Sequence, residues 1–346
     1  MKSERVTDGL HGSVKSCTQE ITVPNIPDPE LGPHHSEHTT LYDPEGRPFM
    51  SRSRYSDSPE HTTRYDYSPS GQMLKISVGT DGNPQFETTY SYDQQGRLQE
   101  IRTDDGKPPI SFRYDQHGRK MKIQTSRPED YRPNVATGGG PFDGLDMIAP
   151  NLPGGGTATT IYDEQDRPVE VQIRNADGEL VNRGTRVYDD AGHAIEEKQI
   201  LENLTAQFPA EEMAKLVEQS GLSADQLKNE IEAQFAKLMG GRSDSCSVAY
   251  SYDSQGRLTH TSRKIFDHGD EIETTYNEQG DKASEVTRST HPDPNAPSPN
   301  TSYSEVRYSY QYDQQGNWTQ QTTSYRSSPD AEFQPSSVIN RTLTYY

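Results

Sequence analysis

Three kinds of residue in this sequence could do chemistry: histidines, carboxylates and aromatic rings. His34, His35, Glu37 and His38 form its one cluster of histidines. A His pair at i and i+4 can seat a metal ion on a helix, but Pro33 and the proline-rich stretch 24–33 argue against helical backbone there. The expectation is a solvated loop, with no metal and no cofactor. Asp and Glu together number 53, so two carboxylates could meet as the acid and base of a glycosidase. Most of the aspartates, however, sit where a turn needs them. Calcium takes about six to eight oxygens, and one carboxylate per turn falls short of that. His-Glu-x-x-His, Gly-x-Ser-x-Gly and Cys–His signatures are absent from the sequence, which therefore reads as that of a non-enzyme. Aromatic rings are better candidates: Tyr310, Tyr312 and Trp318 lie close together in a chain with 20 tyrosines and one tryptophan. Facing solvent among Asp, Asn, Gln and Arg, such rings suit sugar faces. Facing inward, they are the core of a leucine-poor protein.

The elements that must position these rings follow from one recurring string: Tyr-Asp, two polar residues, Gly, then often Arg. It occurs with Asp43, Gly46 and Arg47; with Asp93, Gly96 and Arg97; with Asp115, Gly118 and Arg119; and with Asp253, Gly256 and Arg257. Weaker copies begin at Tyr67, Tyr162, Tyr188, Tyr276 and Tyr312. The typical spacing is about 24 residues, and a fixed period dictates architecture. Asp at position i of a type I turn caps backbone amides, and Gly at i+3 supplies the positive φ that rejoins the partner strand. Asp93 then faces Arg97 across the ladder, and Tyr92 faces Leu98, Tyr252 faces Leu258 and Tyr312 faces Trp318. Tyrosines also alternate along the incoming strands, as at Tyr90 and Tyr92 or Tyr308, Tyr310 and Tyr312, the period of one buried sheet face. Second turns are predicted at Asp81-Gly82, Asp105-Gly106, Asp177-Gly178 and His268-Gly269. Each unit thus holds two strands and two turns, and units add side by side as a twisted antiparallel meander.

The complete Tyr-Asp-x-x-Gly-Arg-Leu string at 92–98 and 252–258 resembles the YD or Rhs repeat of bacterial Rhs proteins, insecticidal-toxin shells and animal teneurins. It covers about 41–318, with two interruptions. The resemblance implies a spiralling sheet that can form a hollow shell, and it is associated with carbohydrate binding, adhesion or toxin encapsulation. It also implies a bacterial protein that is secreted or held in the cell envelope, although 1–16 carries no signal-peptide pattern, which leaves a cytoplasmic protein as the alternative. The chain departs from the full shells in having about nine units, no DPxGL-type core motif, and a strand-like end, 338–346, where those shells append a toxin.

Composition narrows the partners. A formal net charge of −19 without a basic stripe argues against nucleic acid, and no apolar run nears the ~18 residues of a membrane span. Only 29% of residues are hydrophobic, so the core must be thin and tyrosine-rich. Cys17 and Cys246 read as two buried thiols, with one long-range disulfide the alternative. The expected fold is all-β: repeated antiparallel hairpins in an extended, curled or partly closed meander sheet, with an inserted αα-hairpin. Residues 1–33 form an N-terminal edge strand and linker. Tyr-Asp repeats occupy 34–125 and 158–203. Between them, 126–157 is a Gly/Pro-rich loop whose apolar Phe142, Leu145, Met147 and Ile148 either anchor it to the sheet or offer a binding tip. A helical hairpin fills 204–241, with a capping box at Ser223 and Gln226 and a stop at Gly240. Repeats and a final strand complete 242–346. The expected function is a non-catalytic binding or surface-interaction protein with a carbohydrate or protein ligand. The alternative is a scaffold or shell fragment of a larger toxin-like assembly, self-associating through sheet edges or the helical hairpin. A glycan hydrolase comes third.

Overall fold

A computed structural model describes residues 9–23, 34–56, 58–80, 83–104, 106, 109–125, 142, 152, 155–208, 210–238, 244–291 and 299–346. Strands β1 (Val14–Val23), β2 (His34–Tyr42), β3 (Pro48–Tyr55), β4 (His61–Tyr67), β5 (Met73–Thr80), β6 (Asn83–Tyr92), β7 (Leu98–Thr103), β8 (Ile110–Tyr114) and β9 (Lys120–Thr125) precede the first insertion. Between the insertions lie β10 (Gly156–Tyr162), β11 (Pro168–Asn175), β12 (Leu180–Tyr188) and β13 (Ala194–Leu201). After the second come β14 (Cys246–Tyr252), β15 (Leu258–Ile265), β16 (His268–Tyr276), β17 (Lys282–His291), β18 (Asn300–Tyr312), β19 (Trp318–Arg326) and β20 (Gln334–Tyr345). Each strand pairs antiparallel with its neighbours in the chain, and β20 pairs with β1 from Val14↔Tyr345 to Thr22↔Val338. Among the described residues the ladder therefore returns to its start as a ring. The N-terminal strand, expected at a sheet edge, is instead hydrogen-bonded on both sides, to β2 and β20.

The ring closes because each Tyr-Asp turn carries the same irregularity. Nine strands, β2 and every second strand to β18, end in the tyrosine of such a turn, so all nine turns share one rim. At each the register slips opposite the tyrosine: Ser91 pairs with Glu100, but Tyr92 with Leu98. A β-bulge bends its strand and increases the local twist. Nine of them on one rim curl the sheet in a single sense.

The register places the nine tyrosines on one face, with Tyr65, Tyr90, Ile101, Phe112, Ile173, Tyr250 and Tyr308. The other face carries Arg64, Lys75, Glu87, Arg102, Lys198 and Glu271. Side chains on the concave side of a ring converge and shield one another. The tyrosine face, which carries the buried Ala158, Val171, Ile173, Val248 and Thr274, is the inner one. Most full apolar burial falls in two clusters, with Val248 and Leu227 buried apart from them. Leu10, Val14, Cys17 and Tyr42 pack at the seam. Phe142 and Leu152 of the first insertion cover Ala158, Val171, Ile173 and Val181. Phe142 thus anchors the insertion as expected, while Leu145, Met147 and Ile148 lie outside the described residues.

The helical hairpin comprises α1 (Ala210–Ser220) and α2 (Ala224–Leu238). Its capping box is present: the Ser223 amide donates to Gln226 Oε1 at 3.0 Å and the Gln226 amide donates to Ser223 Oγ at 3.3 Å. Leu227 is buried, and Phe235 meets Phe266 edge to face with ring centroids 6.3 Å apart. Gly240 and the Asp81-Gly82 turn lie outside the described residues. One turn is shifted: His268 and Gly269 begin β16, and Phe266 and Asp267 form the two-residue turn before it. Phe266 takes the positive φ, 49°. Cys17 is buried in β1, Cys246 half-buried in β14, and no disulfide joins them.

Candidate functional site

The inner face beneath the Tyr-Asp rim is built from identical local parts. In the turn after β6, Asp93 Oδ1 accepts from the amides of Gln95 and Arg97 at 3.0 and 2.9 Å. Asp93 Oδ2 accepts from Arg97 Nε at 2.7 Å. Gly96, at φ 77°, donates its amide to the Asp93 carbonyl at 2.9 Å. The same bonds recur from Asp43 to Arg47, Asp115 to Arg119 and Asp253 to Arg257, and Gly46, Gly118 and Gly256 share the positive φ. The Arg97 side chain holds the Asp93 carboxyl below its ordinary value. The Arg257 amide and guanidinium do the same for Asp253.

Two contacts then tie each unit to the one before it. The tyrosine hydroxyl donates to a carbonyl just past the preceding turn: Tyr67 to Pro48, Tyr92 to Met73, Tyr114 to Leu98, Tyr188 to Pro168, Tyr252 to Ala194 and Tyr276 to Leu258, all at 2.7–3.0 Å. The turn arginine in turn lies over the next tyrosine ring. Arg97 sits 4.6 Å from the Tyr114 centroid, Arg167 4.6 Å from Tyr188 and Arg257 4.7 Å from Tyr276. Where His193 replaces arginine, its ring stacks on Tyr252 at 4.7 Å. These inter-unit ties were not foreseen from the sequence; only the constant spacing of the motif hints at them.

The three aromatic candidates do come together. Tyr310 lies 5.9 Å from Tyr312 and 6.2 Å from Trp318, centroid to centroid, all on the inner face and all half-buried. Their polar atoms are engaged. Tyr310 donates to the Lys282 carbonyl at 2.9 Å. Tyr312 donates to Asp281 Oδ2 at 2.6 Å and accepts from Asn277 Nδ2 at 2.8 Å. Burial and the Asp281 carboxylate push the Tyr312 hydroxyl up to about 12. The Arg341 guanidinium covers Trp318, 3.3 Å from a ring centroid. A sugar would have to compete with that cation for the indole.

The sequence reading missed a charged cluster on the same face. Glu197, 3% exposed, accepts from Arg186 Nε at 2.7 Å and from the Tyr250 hydroxyl at 3.1 Å. Arg186 also lies over the Phe142 ring at 4.2 Å. Burial, then the nearby Glu197 charge, raises the Tyr250 hydroxyl well above its ordinary range. The turn at Tyr188-Asp189 puts Arg186 opposite Glu197, so counting back from that turn could have found the pair. His35 and His38 lie on strand β2 rather than a loop, and His38 bonds Ser53 at 2.7 Å and Thr40 at 3.1 Å. No group of three metal-type side chains gathers among the described residues.

No family model matches the sequence, and no curated protein matches it. Solved structures of similar outline include a porin-like protein from Bacteroides uniformis, at 10% identity and TM-score 0.32, matching 96% of this chain and 98% of that one. A porin-like protein from Bacteroides vulgatus matches at 11% identity and TM-score 0.27, over 84% and 95% of the two chains. The Tc holotoxin pore of Photorhabdus luminescens matches at 14% identity and TM-score 0.28, over 86% of this chain and 15% of that one.

Proposed function

We propose that the protein is a non-catalytic shell or scaffold element whose ring encloses a protein partner within a larger, exported assembly. The observation that carries this reading is the pairing of β20 with β1. A closed ladder offers no strand edge among the described residues for self-association by strand addition, so contacts must come from the inner face, the outer face or the rims. Tyr, Ser and Thr side chains line the inner face between the apolar clusters, half-exposed and hydrogen-bonding. The outer face, laced with ion pairs such as Lys75–Glu87 and Arg288–Glu273, suits water rather than the apolar band of a lipid-facing barrel. The Trp318 ring of the candidate trio is covered by the Arg341 guanidinium, which weakens the glycan reading.

The test is a photo-crosslinking side chain at Thr261 on the inner face, compared with Lys264 on the outer, in cells that carry the native genomic neighbourhood. Capture of a defined protein from Thr261 alone supports the shell. A blank result at both positions, with saturable binding to an immobilised glycan that Trp318→Ala weakens, would replace it. The second reading is a sugar site at Tyr310, Tyr312 and Trp318, favoured by the convergence of three rings.

A further inference from the structure

At the rim opposite the Tyr-Asp turns, His268 opens β16 and His291 closes β17. The pairing of Gly269 with Thr290 sets the two histidines side by side. Their Nδ1 atoms lie 2.8 Å apart, with ring centroids 5.1 Å apart and planes inclined at 58°. Two imidazole lone pairs cannot face each other at that distance; a proton or a cation must lie between them. The backbone holds both in place. Ile265 pairs with His268, and the Phe266 amide donates to the Ser245 carbonyl at 3.0 Å. Asp270, nearby on the same face, is occupied by Arg263 Nε at 3.0 Å and is not a ligand.

We infer that His268 and His291 chelate a late first-row divalent cation, Cu2+ or Ni2+, through their two Nδ1 atoms. With metal–nitrogen bonds of about 2.0 Å, a 2.8 Å separation gives a bite close to a right angle. That angle suits the tetragonal coordination of Cu2+ and Ni2+ and is too narrow for tetrahedral Zn2+. Water fills the other positions. The structural effect of the cation is to clamp β16 to β17 beside the turn on which the helical hairpin rests through Phe235 and Phe266. This inference is independent of the enclosed partner proposed above.

The experiment is titration of the purified chain with CuCl2, followed by calorimetry and electron paramagnetic resonance, with MgCl2 as a hard-ion control. The expected result is one strong Cu2+ site whose spectrum shows coupling to imidazole nitrogen, and no Mg2+ binding. Both histidines are exposed, so His268→Gln and His291→Gln should each fold, as checked by circular dichroism, and each should lose that site. His260→Gln should keep it, because His260 lies on the outer face beside Glu271. Copper binding that neither of the first two substitutions changes would overturn the assignment, as would a spectrum without nitrogen coupling.

Discussion

The two rims of the ring solve the same problem, reversing a strand, in opposite ways. On the Tyr-Asp rim nine turns of one length repeat one pair of backbone bonds, and tyrosine side chains and, from five of the turns, arginine side chains lash neighbouring turns together. On the other rim the connections run from two residues, Phe266 and Asp267, to a helical hairpin and the long insertion that carries Phe142 and Leu152. Register and curvature are set on the first rim, by the bulge beside every tyrosine. The second rim is released from that duty and can carry the insertions, the histidine pair and the Phe235–Phe266 contact. Uniformity on one side is the condition for variety on the other.

Acid should break this contrast most strongly, because it acts on many turns at once. Asp93, Asp163, Asp189, Asp253 and Asp313 all sit below their ordinary carboxyl values. A group depressed in the fold stabilises above its unfolded value, near ~3.9 for Asp, and that contribution is lost as pH falls through the lower folded value. Melting temperature should therefore drop below about pH 4, and tyrosine fluorescence should change before the helical dichroism of α1 and α2. Loss of the helical signal first would reverse the assignment of strength to the rims.

Next in size is Glu197→Ala, which removes the buried acceptor of the half-buried Arg186 and of the Tyr250 hydroxyl and should cost about 3 kcal/mol in urea unfolding. Asn317, 1% exposed, donates to the His11 carbonyl and the Tyr345 hydroxyl, both at 2.9 Å, and so ties the seam to the last Tyr-Asp turn. Asn317→Ala should cost about 2 kcal/mol. Tyr92→Phe removes one inter-unit hydrogen bond, an effect of about 1 kcal/mol, and Tyr114→Phe and Tyr276→Phe should match it if the rim is as uniform as its geometry. The smallest effect belongs to Asp166, which stands where the other turns have glycine, at φ 59°. Asp166→Gly relieves a left-handed residue but loses an exposed ion pair to Arg119, and should change stability by less than about 0.5 kcal/mol.

Much of one rim could be read from the sequence. Tyr92 opposite Leu98, Asp93 bonded to Arg97 and the positive φ of Gly96 all follow from a motif seven residues long. What lay beyond it were contacts between units. The hydroxyl of Tyr114 reaches the Leu98 carbonyl only once two hairpins are side by side, and no local rule supplies that distance. Closure was out of reach for the same reason: whether β20 meets β1 depends on curvature summed over twenty strands. The rings of Tyr310, Tyr312 and Trp318 lie near one another, but the Arg341 cap comes from β20, outside any local window. The shift of the turn from His268 to Phe266 has a simpler cause. Glycine after histidine suggests a turn, yet β15 and β16 pair up to Ile265 and His268, leaving Phe266 to adopt the left-handed conformation.

The seam has a consequence for how the chain acquires its shape. Between the ends of β2 and β20, most strand pairings join neighbours in sequence and can zip up one hairpin at a time, whereas Cys17 meets Leu343 only across almost the whole chain. Loop-closure entropy makes such a contact slow. During synthesis from the N-terminus, one flank of β1 stays open until residues 334–345 have left the ribosome, presenting the kind of unpaired strand that recruits other chains. Folding is thus local for nearly the whole length of the protein, and its one hazardous interval ends with the last strand.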